Sequence, residues 1–137
     1  MNFLSFVIKD KYYGLDVTFV QKVALNLRVT PVLTAPSYVV GISNIKGKVI
    51  TVLDTLRLLG REETGNEGRE REPREINAVV LKPFGSDENQ AGLLIDKPGD
   101  LITAGEEEML SPEAAEIDGR IYRIIDVGSI IPGGNTQ

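Results

Sequence analysis

The sequence predicts an all-β protein: two small β-barrels packed side by side, with one or two short helical turns. Three observations lead there. The apolar stretches are short and rich in β-branched residues. Gly, Pro or clusters of charge interrupt them about every eight to twelve residues, the spacing of a sandwich or barrel rather than of a helical bundle. The third observation is an internal repeat, in which residues 47–59 (GKVITVLDTLRLL) align without gaps with residues 119–131 (GRIYRIIDVGSII). Glycine meets glycine, base meets base, aspartate meets aspartate, and the apolar positions coincide. A fainter echo relates Val7, Ile8, Lys9, Gly14 and Leu15 to Val80, Leu81, Lys82, Gly92 and Leu93. Each half then holds an opening hairpin and a closing strand that ends in Asp and a helical turn. A unit of that size has too little core to stand alone comfortably, so the two are expected to meet through an apolar contact.

The elements follow in order. Residues 3–9 and 12–17 flank Asp10 and Lys11 as a hairpin. Residues 20–29, 41–46 and 48–53 read as further strands, the last two joined by a tight turn at Gly47. Residues 61–75 are nearly pure charge, Gly and Pro; they cannot bury enough apolar area to order themselves and read as a mobile linker or long loop. Residues 76–82 and 90–95 form a second hairpin with a loop at 83–87, and residues 101–104 and 119–125 complete the strands. Helical turns are expected after Asp54 and Asp126. The whole chain of 137 residues is read as one domain. Its first subdomain spans 13–60, its charged linker 61–75 and its second subdomain 76–131, with the strand at 3–9 assigned to neither.

Composition removes whole classes of function. The chain carries 20 Asp and Glu against 15 Lys and Arg, a net charge of -5, and the basic residues do not gather on one segment. Such a chain repels phosphate backbones and anionic lipid. With four Phe, four Tyr and no Trp it is also poorly supplied for stacking on bases, so no nucleic-acid partner is expected. There is no Cys and no His, which excludes disulfides, thiolate zinc sites, Cys nucleophiles and His-based triads. The N-terminus has no basic residue ahead of its short apolar run and reads as a strand, not a signal peptide. No apolar run reaches the length of a membrane span. A cytoplasmic protein without direct membrane insertion is the expectation.

Four carboxylates, Asp16, Asp54, Asp96 and Asp126, directly follow apolar strand residues. Two carboxylates are the minimum for glycoside or aspartyl chemistry, so a β-barrel enzyme with paired aspartates is one reading. However, Asp54 and Asp126 each precede an apolar helical turn, where a carboxylate accepts backbone N–H bonds as an N-cap. Asp16 and Asp96 read as turn residues at strand ends. The glycines of residues 41–47 (GISNIKG) lack the spacing of a phosphate-binding loop and open a strand instead of a helix. Glu106, Glu107 and Glu108 are consecutive, cannot all face one ion, and read as solvated surface. No catalytic residue, cofactor or metal ligand is expected.

One set of residues carries a resemblance. It begins with residues 13–17 (YGLDV), 20–23 (VQKV), 30–31 (TP) and 35–39 (APSYV), and continues with 41–50 (GISNIKGKVI) and Leu53-Asp54. In order and spacing these resemble the first half of a CheW-like domain. Residues 92–96 (GLLID) are similar to that family's Gly-Leu-Leu-Val-Asp, and residues 118–121 (DGRI) with Ile125-Asp126 resemble its closing strand. The resemblance implies two five-stranded src-homology-3-like barrels with an apolar interface, no catalysis and no cofactor. It implies two partners: the regulatory domain of the histidine kinase CheA, met barrel to barrel, and the helical cytoplasmic tip of a methyl-accepting chemoreceptor, received in a groove. Repeated heterologous contacts would close rings in which many weak interfaces act together.

Carried over to matched positions, the resemblance makes Val20 and Val23 apolar residues facing the groove, and Asn44, Lys46 and Gly47 the strand and turn that border it. Lys22 belongs to the same set, and here the chain departs from the family. Glu is usual at position 22 and Arg at position 46, an opposite-charge pair. Two lysines at about 4 to 6 Å would repel by about 1 to 4 kcal/mol at an effective dielectric of about 20 to 80, so they are expected to turn outward. Thr51 stands where Pro is common and Pro98 where an aliphatic residue is usual. Residues 109–118 are shorter than the family's segment and leave little room for its strand and loop. Three functions are therefore compatible with the sequence: a kinase-coupling adaptor, an auxiliary CheW-like module that binds a receptor or response regulator without activating the kinase, and the aspartate enzyme.

Overall fold

The computed structural model describes residues 1–60, 72–83 and 90–131. Strands dominate, as the patterning predicts. In chain order they are β1 (Asn2–Ile8), β2 (Lys11–Asp16), β3 (Val20–Val29), β4 (Val39–Ile45), β5 (Lys48–Leu53), β6 (Arg74–Leu81), β7 (Gln90–Ile95), β8 (Lys97–Thr103), β9 (Met109–Ser111), β10 (Ala114–Ile117) and β11 (Arg120–Ile125). Single-turn helices α1 (Thr55–Leu58) and α2 (Val127–Ile130) follow β5 and β11, where the repeat places them.

The strands form two sheets in two compact units. One unit comprises Met1–Val20 with Ile95–Gln137 and holds a six-stranded sheet in the order β8-β1-β2-β11-β10-β9. The other comprises Gln21–Leu94 and holds a five-stranded sheet in the order β3-β6-β7-β5-β4. In the second unit a bridge between Thr30 and Ile42 ties the end of β3 to β4, the two outer strands, and so curls that sheet closed. The first sheet has one strand more than the five expected.

This partition corrects the expected contiguous subdomains at 13–60 and 76–131. Each sheet combines the hairpin of one repeat with the closing strand of the other. Strand β11 runs parallel to β2, with Ile124 opposite Gly14 and Ile125 opposite Leu15. Strand β5 runs parallel to β7, with Val52 opposite Gly92 and Leu53 opposite Leu93. Repeat-equivalent residues thus meet in the same register in both sheets, but across the halves. A repeat specifies which residues are equivalent; it is silent on whether a hairpin pairs with its own closing strand or with the other copy's.

Three hairpins turn in two residues, and in each both central residues have positive φ: Lys9 and Asp10 (51° and 66°), Lys46 and Gly47 (53° and 86°), Asp118 and Gly119 (56° and 81°). That is the twist of a type I′ turn, which matches the right-handed twist of the flanking strands. The first turn lies one residue before the Asp10-Lys11 expected, because Ile8 pairs with Lys11. Residues 109–118, expected to leave little room for a strand and loop, hold both β9 and β10; the strands are only three and four residues long and turn through Pro112 and Glu113. The expected linker at 61–75 ends earlier, since Arg74 and Glu75 open β6; its residues 61–71, like 84–87 of the expected hairpin loop, lie outside the described residues.

Each unit has its own core. In the first, Phe3, Ala104, Ala115, Tyr122 and Ile124 are buried together, with the Phe3 and Tyr122 rings 5.4 Å apart. Strand β1 is buried on both faces, including the polar Ser5. Its register with β8 shifts between Leu4 and Phe6, and there the Ser5 hydroxyl accepts from the Asp100 amide (2.9 Å) and donates to the Asp100 carbonyl (3.1 Å), replacing ladder bonds lost at the bulge. Strand β8 begins at Lys97, four residues before the strand expected at 101, and tolerates Pro98 because it is an edge. In the second unit Val29, Ile50, Val52, Ile76, Ala78 and Val80 form the core.

The two cap aspartates diverge. Asp54 occupies the N-cap of α1 and its carboxylate accepts from the Arg57 amide at 3.3 Å. Asp126 stands at the N-cap of α2, but its carboxylate makes no capping bond, which corrects the expectation of a side-chain cap there. Exposed to water, this carboxylate is already solvated, and the Ser129 hydroxyl instead donates to the Asp126 carbonyl at 3.0 Å.

A lysine-lined cleft on the second unit

The type I′ turn between β4 and β5 is set by local chemistry. Gly47 has no Cβ to oppose its φ of 86°, and the Asn44 side-chain oxygen accepts from the Gly47 amide at 2.9 Å. That turn projects Lys46, and Lys48, the residue after Gly47, starts β5. Strand β3 contributes Gln21 and Lys22. Together they rim a cleft of about 200 Å³ whose floor is Ile45, Ile50, Val80 and Gln90. Ile50 and Val80 belong to the core of this unit, so the floor is continuous with packed structure.

Gln90 is the polar element of the floor. Buried to 4% exposure, its amide donates to the Gln21 carbonyl oxygen at 2.8 Å and to the Leu81 backbone carbonyl at 3.0 Å. A buried amide held by two acceptors is an ordered wall. Lys22, Lys46 and Lys48 are all exposed. Among the described residues no carboxylate lines the cleft; the Asp54 carboxylate of this unit makes an ion pair with Arg57 at 3.5 Å.

Of the residues singled out from sequence, Lys22 and Lys46 meet on this cleft, and Asn44 and Gly47 build the turn that carries Lys46. The two lysines are exposed, which screens their repulsion. Val20 and Val23 are half-buried on β3 and do not line the cleft. Sequence reasoning missed Gln21, Lys48 and Gln90. Lys48 is marked only by its place beside the turn, whereas Gln90 reaches the cleft through the pairing of β7 with β5, which no local pattern announces.

The four aspartates do not converge on the cleft. Asp16 accepts from the Thr18 amide at 2.9 Å, a local turn role as expected, whereas Asp96, at the end of β7, accepts from the distant Lys9 amide in the β1–β2 turn at 2.7 Å. Glu106–Glu108 form a single 3-10 turn in which Glu108 accepts from the Gly105 amide at 2.8 Å. Among the described residues no three metal-ligating side chains converge, and no helix is long and apolar enough to cross a membrane. A cleft of about 200 Å³ lies below the usual range of small-molecule pockets, about 300 to 1,000 Å³.

Comparison with known proteins agrees with this architecture. The CheW-like domain family matches residues 2–133. The chain is 22% identical to the chemotaxis protein CheW of Rhizobium meliloti (strain 1021), over 94% of this chain and 86% of that protein. It is 26% identical to the CheW of Treponema pallidum (strain Nichols) and 25% to that of Klebsiella aerogenes, over 80% and 83% of this chain. It spans 61% and 64% of the length of those two relatives. Among solved structures, the scaffolding protein TtCheW from Thermoanaerobacter tengcongensis superposes with a TM-score of 0.70 at 23% identity, covering 91% of this chain and 88% of that one. By a family match that takes in both sheets, this chain belongs to the CheW-like domain family.

Proposed function

We propose that this chain is a non-enzymatic cytoplasmic adaptor that couples chemoreceptors to the histidine kinase CheA, associated with the membrane only through the receptor array. The observation that carries this reading is the CheW-like match across residues 2–133, with relatives named as chemotaxis proteins. A protein of this kind acts through surfaces: it holds two partners at fixed geometry and lends no reacting group. The placement of Asp16, Asp54, Asp96 and Asp126 in turns and at helix starts, away from the cleft, gives the aspartate-enzyme reading no support.

A second reading, an auxiliary module that binds a receptor or response regulator without activating the kinase, draws on one feature: Lys22 and Lys46 place like charges where the family ordinarily pairs opposite ones. Calorimetric titration of the purified chain against the CheA regulatory domain and, separately, against a chemoreceptor tip fragment distinguishes the two. The adaptor reading expects both to bind with Kd in the micromolar range, about -8 kcal/mol. Receptor binding without kinase binding at high micromolar concentration selects the auxiliary module.

A further inference from the structure

We infer that the Ser5 side chain guards an open sheet edge: by holding β8 in a bulge, it keeps that strand from pairing with β8 of a second copy of this chain. Among the described residues β8 ends the six-stranded sheet. It is exposed along nearly all of its length, with Leu101 at 74%. Such an edge offers its outer backbone groups to any strand that fits them. The Asp100 amide donates to the Ser5 hydroxyl, which donates in turn to the Asp100 carbonyl, and the Ala104 amide donates to the Met1 carbonyl. Residues 100 and 104 therefore face β1, and the alternation of a strand turns the amides and carbonyls of Leu101 and Thr103 outward. Two copies of this edge are self-complementary. Antiparallel pairing about a two-fold axis at Leu101 sets Leu101 against Leu101, Asp100 against Ile102 and Gly99 against Thr103, with no like charges opposed.

Shape is what opposes that pairing. Between Leu4 and Phe6 on β1 lies one residue, Ser5, whereas between their partners Leu101 and Pro98 lie two, Gly99 and Asp100. The extra residue bends the edge, and Pro98 beside it supplies no amide. Ser5 fixes the bulge. Buried to 5% exposure, its single hydroxyl bonds both backbone groups of Asp100, and Gly99 packs so closely that a Cβ there would overlap that hydroxyl. Alanine at position 5 leaves the amide and carbonyl of Asp100 without this partner and frees the bulged segment to straighten. The guard is independent of the adaptor reading, since it rests on β1 and β8 alone.

The test is sedimentation velocity on the full chain, with hydrogen exchange followed amide by amide by NMR. In the unaltered chain the Asp100 amide is expected to exchange slowly and those of Leu101 and Thr103 fast, and Leu101→Lys is expected to leave sedimentation unchanged. Ser5→Ala is expected to tighten self-association at least about tenfold and to slow exchange at Leu101 and Thr103 as concentration rises. Adding Leu101→Lys to Ser5→Ala sets two lysines face to face on the two-fold axis. That double variant is expected to be monomeric without regaining stability, which separates edge pairing from a simple loss of stability. Gly99→Ala breaks the same latch from β8 and is expected to act as Ser5→Ala does; it stands in should Ser5→Ala fail to fold by circular dichroism. A folded Ser5→Ala chain that sediments like the unaltered one, with Leu101 still exchanging fast, would overturn the guard. So would dimers that Leu101→Lys leaves intact, or an unaltered chain whose Leu101 and Thr103 amides are already protected.

Discussion

Gly14 and Gly92 occupy equivalent places in the two repeats and pair with equivalent residues, Ile124 and Val52, yet their surroundings differ. A Cβ on Gly14 would lie 2.5 Å from Phe3 Cδ1 and 2.9 Å from Ile124 Cδ1. On Gly92 the nearest atom would be Ile50 Cγ2 at 3.4 Å, an ordinary contact. Gly14→Ala therefore forces buried Phe3 and Ile124 off their positions, an overpacking cost of about 1 to 3 kcal/mol. Gly92→Ala is expected to cost less than about 1 kcal/mol, since a methyl group enters without displacing its neighbours. Denaturant titration of the two variants measures the difference, and equal losses would contradict this packing.

The hairpins illustrate how an element is set by its turn. The turns at Lys46-Gly47 and Asp118-Gly119 both hold glycine at the second central position, with φ of 86° and 81° and open space around the missing Cβ. Any loss on substitution there comes from the backbone alone. Gly47→Ala and Gly119→Ala are each expected to cost about 1 to 2 kcal/mol in thermal or chemical unfolding, the penalty of a left-handed backbone with a side chain. A much smaller loss at either site would mean that the turn relaxes to another type. Because Gly47 anchors the strand end carrying Lys46 and Lys48, Gly47→Ala is also expected to disturb the cleft, whereas Gly119→Ala is not.

The exchange of hairpins between repeats governs how the chain can be cut. Fragment 13–60 lacks β6 and β7, and fragment 76–131 lacks β1 and β2, so neither contains all the strands of any sheet. Both are expected to be unfolded alone by circular dichroism and NMR dispersion. Gln21–Leu94, which holds the five-stranded sheet except for the end residues Val20 of β3 and Ile95 of β7, is the contiguous stretch expected to retain native strand signals. Folded behaviour in 13–60 alone would contradict the crossed topology. Much of this architecture was legible in the residues. Short β-branched apolar runs broken by Gly, Pro and charge announce strands, because branched side chains pack well on a pleated surface and the breakers mark its turns. The coincidence of residues 47–59 with 119–131 announces two units closing in the same way, and Gly47 announces the tight turn between β4 and β5. Those signals are local, so each could be read from a short window. What no window contains is the partner of a strand: parallel pairing of β2 with β11 and of β7 with β5 joins residues far apart in the chain. Equivalent repeats make own-half and crossed pairing look alike in one dimension. The same non-local pairing places Gln90 opposite Ile50, and so the cleft, unlike the strands that form it, exists only once the chain has folded.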